Sequence, residues 1–168
     1  MKCLISIVLL TLLCCDRLPH QKMEELNKRL DRLENANGAL YAPLLYQEIQ
    51  ARHHKIQRLI GIHRENYFKN PEALTIQIDS AIQLIDYSIY KTCKIKDSLR
   101  PETETWFHAQ QAEIQKTLNQ LLIQKKIDSS ETKKKQGRLL DLLELIPADP
   151  INAKNETEKI LLELKQRL

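Results

Sequence analysis

Glycine is almost missing from this chain, with three residues at 38, 61 and 137. Folds built from many strands need tight turns, and those turns draw on glycine. So few glycines exclude a large all-β architecture. They also leave nothing from which to build a glycine-rich phosphate loop. Aromatic residues are scarce, with one Trp, five Tyr and two Phe. Cysteine occurs at 3, 14, 15 and 93 only, so the body of the chain carries no disulfide framework. No apolar run reaches the roughly 20 residues that a helix needs to cross a bilayer. Charge of one sign is lacking too, with 26 basic against 22 acidic residues and a net +4. That excess is too small for a protein that binds by neutralising phosphates, so no nucleic-acid partner is expected.

What is present begins at the N-terminus. Met1 and Lys2 give a short positive start, and Leu4 to Leu13 form an apolar segment interrupted only by Ser6 and Thr11. The run is about a dozen residues, too short to span a membrane and the right length for an export signal. It ends in Cys14-Cys15, after which "DRLPHQK" is polar. Residues 1–14 therefore read as a signal peptide and 15–20 as a tether.

The segment "LLCC" resembles the lipid-attachment signal of bacterial lipoproteins, in which a cysteine after the apolar run is acylated and becomes the mature N-terminus. The pattern places an aliphatic residue three before that cysteine and a small residue just before it. For Cys15 these are Leu12 and Cys14, and for Cys14 the preceding residue is the bulkier Leu13. Cys15 is the expected lipidation site, with Cys14 as the runner-up, and the pattern is similar to the relaxed signals of spirochaetes and some other bacteria. The resemblance implies several acyl chains, a body held at the cell envelope, and a membrane partner reached through lipid. One acyl chain alone gives only marginal binding, at about 0.8 kcal/mol per buried methylene.

From Gln21 onward the apolar spacing is helical. Met23, Leu26, Leu30, Leu33, Asn37, Leu40 and Leu44 recur in steps of three and four, the spacing of a heptad seam. "NANG" at 35–38 reads as a stop with Gly38 as the cap, giving a short amphipathic helix over 21–37. That helix packs on its own chain or zips with a second copy. Pro43 opens a helix over 42–68 with a stripe through Leu45, Ile49, Ile56, Leu59 and Ile60. Asn70-Pro71 starts another over 71–99, whose stripe runs Leu74, Ile78, Ala81, Ile82, Ile85, Ile89 and Cys93. On this reading Cys93 is a small buried apolar residue. Arg100-Pro101 punctuates again, before a helix over 101–127 carrying Trp106, Phe107, Ile114, Leu118, Leu121 and Leu122. Short breaks between long helices imply antiparallel packing, so 42–127 is expected to form a three-helix core. Ser129 or Ser130 caps a fifth helix, and Asp149-Pro150 starts a sixth, giving two shorter helices across 129–168. The fold class is all-α, an antiparallel bundle of about five to six helices behind a signal peptide.

"YAPLLYQEIQARHHKI" followed by "NPEALTIQIDSAIQLID" is similar to a poorly characterised family of bacterial helical-hairpin lipoproteins, with Ala42, Pro43, Ala51, Ala73 and Ala81 at matching places. Isoleucine and leucine stand where several of that family's alanines would be. The resemblance implies no catalytic residues.

Residues able to do chemistry are few and scattered. His53 and His54 point about 100° apart on a helix, and His63 lies on the opposite side from His54. Glu104 and His108 share a face at i, i+4, but two ligands do not make a metal site. There is no HExxH, no CxxC and no serine elbow. No catalytic residue, metal or cofactor is expected. The strongest charge feature is Lys133-Lys134-Lys135, with Lys125, Lys126 and Arg138 close in sequence. It reads as a solvated loop between helices or as a contact for anionic lipid headgroups, worth about 1 kcal/mol per basic side chain.

These features lead to a lipid-anchored, non-catalytic envelope protein, placed at the inner or outer membrane. It would serve as an adaptor or scaffold through a protein partner or self-association of its amphipathic helices. The alternative is a soluble secreted helical factor with a disulfide from Cys14 or Cys15 to Cys93.

Overall fold

The computed structural model describes residues 20–65 and 71–168. Among them are six helices and no strand, the all-α class expected. They are α1 (His20–Asn35), α2 (Gly38–Tyr41), α3 (Pro43–Glu65), α4 (Pro71–Ile123), α5 (Ser129–Leu145) and α6 (Pro150–Lys165). The expected signal peptide, Cys14, Cys15 and the rest of the tether before His20 lie outside the described residues, as does Asn70.

Helix α1 forms because Leu26, Leu30 and Leu33 repeat at helical spacing, and all three are buried. Its end differs in detail from the expected glycine cap. Asn37, not Gly38, takes the left-handed conformation, at φ 60° and ψ 40°. Asparagine tolerates that region better than most residues. Gly38 instead opens α2 and is buried. A Cβ there would sit 2.4 Å from Leu33 Cδ1 and 2.7 Å from Leu33 Cγ, so the position is reserved for a residue without one. Pro43 starts α3 as its fixed φ favours.

The largest departure lies at Pro101. A break was expected there; instead α4 runs unbroken for 53 residues with Pro101 inside it. A proline in a helix interior removes one hydrogen bond and crowds the carbonyl four residues earlier, at a cost of about 3 kcal/mol. "DSLRPE" has no glycine or asparagine to take a left-handed conformation, and the helix continues through the proline. The polar side chains around the defect are also engaged. Arg100 donates to Asp97 Oδ1 at 3.4 Å and to the Pro147 carbonyl at 3.1 Å, and the Thr105 hydroxyl donates to the Pro101 carbonyl at 2.9 Å.

With no fold-back at Pro101, residues 42–127 do not form the expected three-helix core. The chain divides into two compact units whose boundary falls between Thr92 and Cys93, inside α4. The first unit holds α1, α2, α3 and the start of α4. Its core joins Leu26, Leu30 and Leu33 to Ile49 and Ile56 of α3 and to Leu74, Ile78, Ala81, Ile82 and Ile85 of α4. Side-chain pairs fix the directions. Lys22 meets Asp79 and Arg29 meets Asp86, each 57 residues on, so α1 and α4 run parallel. His53 faces Asn27 and Tyr46 faces Glu34, so α3 runs against α1. The heptad leucines of α1 are thus occupied within their own chain.

The second unit holds the remainder of α4 with α5 and α6. Phe107, Ile114, Leu118 and Leu121 pack with Leu139 and Leu142 of α5 and with Ile146, Ala153, Ile160 and Leu164. Arg138 pairs with Glu156 and Arg167 with Glu131, so α5 and α6 are antiparallel. The cap of α5 is Asp128 rather than either serine, its carboxylate accepting from the Glu131 N–H at 2.7 Å. Aspartate with glutamate three residues on has the spacing of a capping box. At α6 the expected cap is present, with Asp149 accepting from the Asn152 N–H at 3.3 Å ahead of Pro150.

Candidate interaction surface

The lysine cluster lies within α5, in its first turns, and not in a loop between helices. Lys133 and Lys134 are exposed there. Lys135 is different: only 15% of its side chain is exposed, and it pairs with Glu163. Arg138 is held by Glu156, which also receives Lys159. Lys126 donates to the Leu168 carbonyl at 2.6 Å. A hollow of about 470 Å³ is lined by Asp128, Ser130, Glu131, Lys134, Lys135 and Arg138. Two carboxylates sit among its three cations, so the hollow is no simple anion cradle. Hydrogen bonds from Lys159 and Arg138 hold the Glu156 carboxyl below the usual carboxylate range, and one from Lys135 does the same for Glu163.

Among the described residues the histidines are not brought together into a metal site. His53 is half-buried, 3.3 Å from Asn27 Oδ1 and 3.4 Å from Gln57 Nε2. Burial, and then the charge of His54, pushes its pKa down. The ring of His108 stands edge-on to Phe107. Among the described residues no three of His, Cys, Asp and Glu are grouped as a metal would require.

Cys93 was expected on the buried stripe, yet it is exposed. Steps of four from Ile85 through Ile89 to Cys93 drift by about 40° per step away from a face of period 3.6. The buried face follows Ile85, Ser88 and Thr92 instead, and both hydroxyl residues are fully enclosed. Ser88 Oγ and Thr92 Oγ1 have no hydrogen-bond partner among the described residues. Thr117, Thr132 and Thr157, by contrast, each donate to the carbonyl four residues back. The polar interruption of an apolar stripe was the available sign of this.

A second face emerges on the first unit, unmarked by any catalytic residue type. Along α4, Ile76, Ser80, Gln83, Tyr87 and Tyr90 are exposed at steps of four, three, four and three. Ile76 is 67% exposed, Tyr90 56% and Tyr87 48%. The Lys91 ammonium lies 5.4 Å over the Tyr87 ring. Beside Ile76, Arg52 of α3 donates to Ser80 Oγ at 3.0 Å, and a groove of about 480 Å³ is lined by Arg52, Lys55, Ile56, Ile76, Gln77 and Ser80.

No described helix is long and apolar enough to cross a membrane. Comparison with protein-family models, curated proteins and solved structures finds no match for this chain.

Proposed function

We propose that the chain is a lipid-anchored, non-catalytic helical protein of the bacterial cell envelope, acting as an adaptor or scaffold. The observation that carries this reading is the leader itself: Lys2, a dozen largely apolar residues, then Cys14-Cys15 and an abrupt change to polar sequence. Acylation of Cys15, or failing that Cys14, would tie the body to a bilayer that the leader is too short to span. The helical body suits binding to another protein. Each unit closes its own apolar core and still leaves large apolar side chains outside, Leu44 and Ile76 in one and Leu140 and Leu162 in the other. Replacing both Cys14 and Cys15 with Ser should move the protein from the detergent phase to the aqueous phase on detergent partition. Retention in the detergent phase would exclude attachment through these cysteines.

The exposure of Cys93 favours one second reading, a soluble secreted factor with a disulfide from Cys14 or Cys15 to Cys93. That form would change its electrophoretic mobility on reduction, and a lipidated form would not.

A further inference from the structure

We infer that the outer face of α4 in the first unit, together with the adjoining turns of α3, is the surface that lies against anionic lipid headgroups. The inference rests on the proposed lipid anchor and adds to it the part of the body that meets the bilayer. Three observations carry it.

The first is where the tether enters. Cys15 precedes His20 by five residues, and an extended chain reaches at most about 18 Å over that distance. His20 begins α1, and the Lys22–Asp79 pair sets the start of α1 beside Asp79 of α4. Because α1 and α4 run parallel, α1 begins at the level of Ile76 and Ser80 of α4. The helical faces next to that end are the ones a short tether holds near the membrane. Lys133 and Lys134 belong to the other unit, which the tether does not enter.

The second is the chemistry of the face. Tyrosine favours the headgroup layer, where its ring is apolar and its hydroxyl is wet, and an exposed isoleucine gains from the same burial. Lysine and arginine lay their methylene stems along such a surface with the charge toward phosphate. Ile76, Tyr87 and Tyr90 supply the first kind of contact, and Lys55 and Lys91 the second.

The third is charge complementarity. The carboxylates flanking this face are largely occupied. Asp79 and Asp86 are turned to Lys22 and Arg29 of α1, and Glu48 is paired with Arg52 at 2.6 Å. Glu72, in the first turn of α4, is a further acidic residue at the rim. Lys55 and Lys91 give the face its net positive sign.

Amine labelling of the native acylated protein tests this without any substitution. The protein is reconstituted on phosphatidylglycerol-containing vesicles and on pure phosphatidylcholine vesicles, exposed to a soluble acetylating reagent, and digested for mass spectrometry. Labelling of Lys55 and Lys91 should fall about fivefold on the anionic vesicles, with Lys133 and Lys134 unchanged. Replacing Tyr87 and Tyr90 with Asp, both exposed, should restore it. Unchanged labelling of Lys55 and Lys91 on vesicle-bound, acylated protein would overturn the inference while leaving the anchor standing. Protection of Lys133 and Lys134 instead would assign the contact to α5 and overturn it equally. A chain without acyl mass would remove the anchor and, with it, the tether argument.

Discussion

The two units solve the same packing problem by different means. In the second, α5 and α6 are neighbours in sequence, joined by four residues, 146–149, and each begins on an aspartate cap. Its core contains the fully buried Phe107, with the partly buried Trp106 packed against it. In the first, α1 must find α4 across more than fifty residues, and the entry to α3 depends on a left-handed Asn37 and a Gly38 that admits no Cβ. The second unit joins its two shorter helices locally and buries a large aromatic, and α6 reaches back to α4 through Lys165 and Glu113. The first is secured by long-range register and one tight approach. A short list of residues should therefore break each unit separately.

The largest effect should come from Phe107→Ala. Removing a fully buried aromatic costs about 3–5 kcal/mol. Urea unfolding followed by amide exchange should show the loss in α5 and α6 while α1 and α3 keep their protection. Uniform loss along the chain would show that α4 couples the units too tightly for the comparison to hold.

Pro101→Ala should act in the other direction, because it restores the missing hydrogen bond within α4. Stabilisation of up to about 3 kcal/mol, read as a higher midpoint of thermal unfolding, is expected. No gain would mean that the helix relaxes around the proline at little cost.

Gly38→Ala should destabilise the first unit by about 1–3 kcal/mol, since Leu33 must move to admit the methyl group. A neutral result would remove the tight approach from the account. Asp128→Ala should cost about 1 kcal/mol, confined to α5 and its packing, through loss of the cap.

The smallest effect concerns acid. The carboxyl groups of Glu156 and Glu163 are held below their ordinary range by hydrogen bonds from Lys159 and Lys135 respectively. A carboxylate whose folded pKa is depressed adds stability above its unfolded pKa, and that stability is lost as pH falls through the folded value. Glu163 is exposed and Glu156 half-buried at the surface, so screening keeps the contribution small. Acidification below the usual carboxylate range should loosen α5 against α6, and added salt at neutral pH should weaken the same pairs. Chemical-shift titration of the two side chains would check the direction.

The sequence made much of this architecture readable, for physical reasons visible in particular residues. Leu26, Leu30 and Leu33 mark a buried face by spacing alone, and Pro43 and Asp149-Pro150 announce helix starts because each satisfies the local needs of a first turn. Pro101 misled because a proline marks a local cost, and a local cost alone does not end a helix. Cys93 misled because steps of four drift off a 3.6-residue period, and Ser88 and Thr92 held the buried positions instead. Asp128 was hidden by the two serines after it. The lysine cluster was legible as charge, but its partners Glu163 and Glu156 sit about twenty to thirty residues away on α6, beyond the reach of local pattern. The face of Ile76, Tyr87 and Tyr90 was legible in spacing too. It carries no residue type that a search for catalysis selects, so only the exposure of its side chains and the parallel register of α1 bring it out.

The proposed membrane attachment depends on acylation of the cysteine pair. Intact-mass and N-terminal peptide spectrometry of the protein extracted from its native membranes should find a chain beginning at Cys15, or at Cys14, that carries fatty acyl mass. A chain that retains Met1 to Leu13, or whose first cysteine bears no lipid, would contradict it.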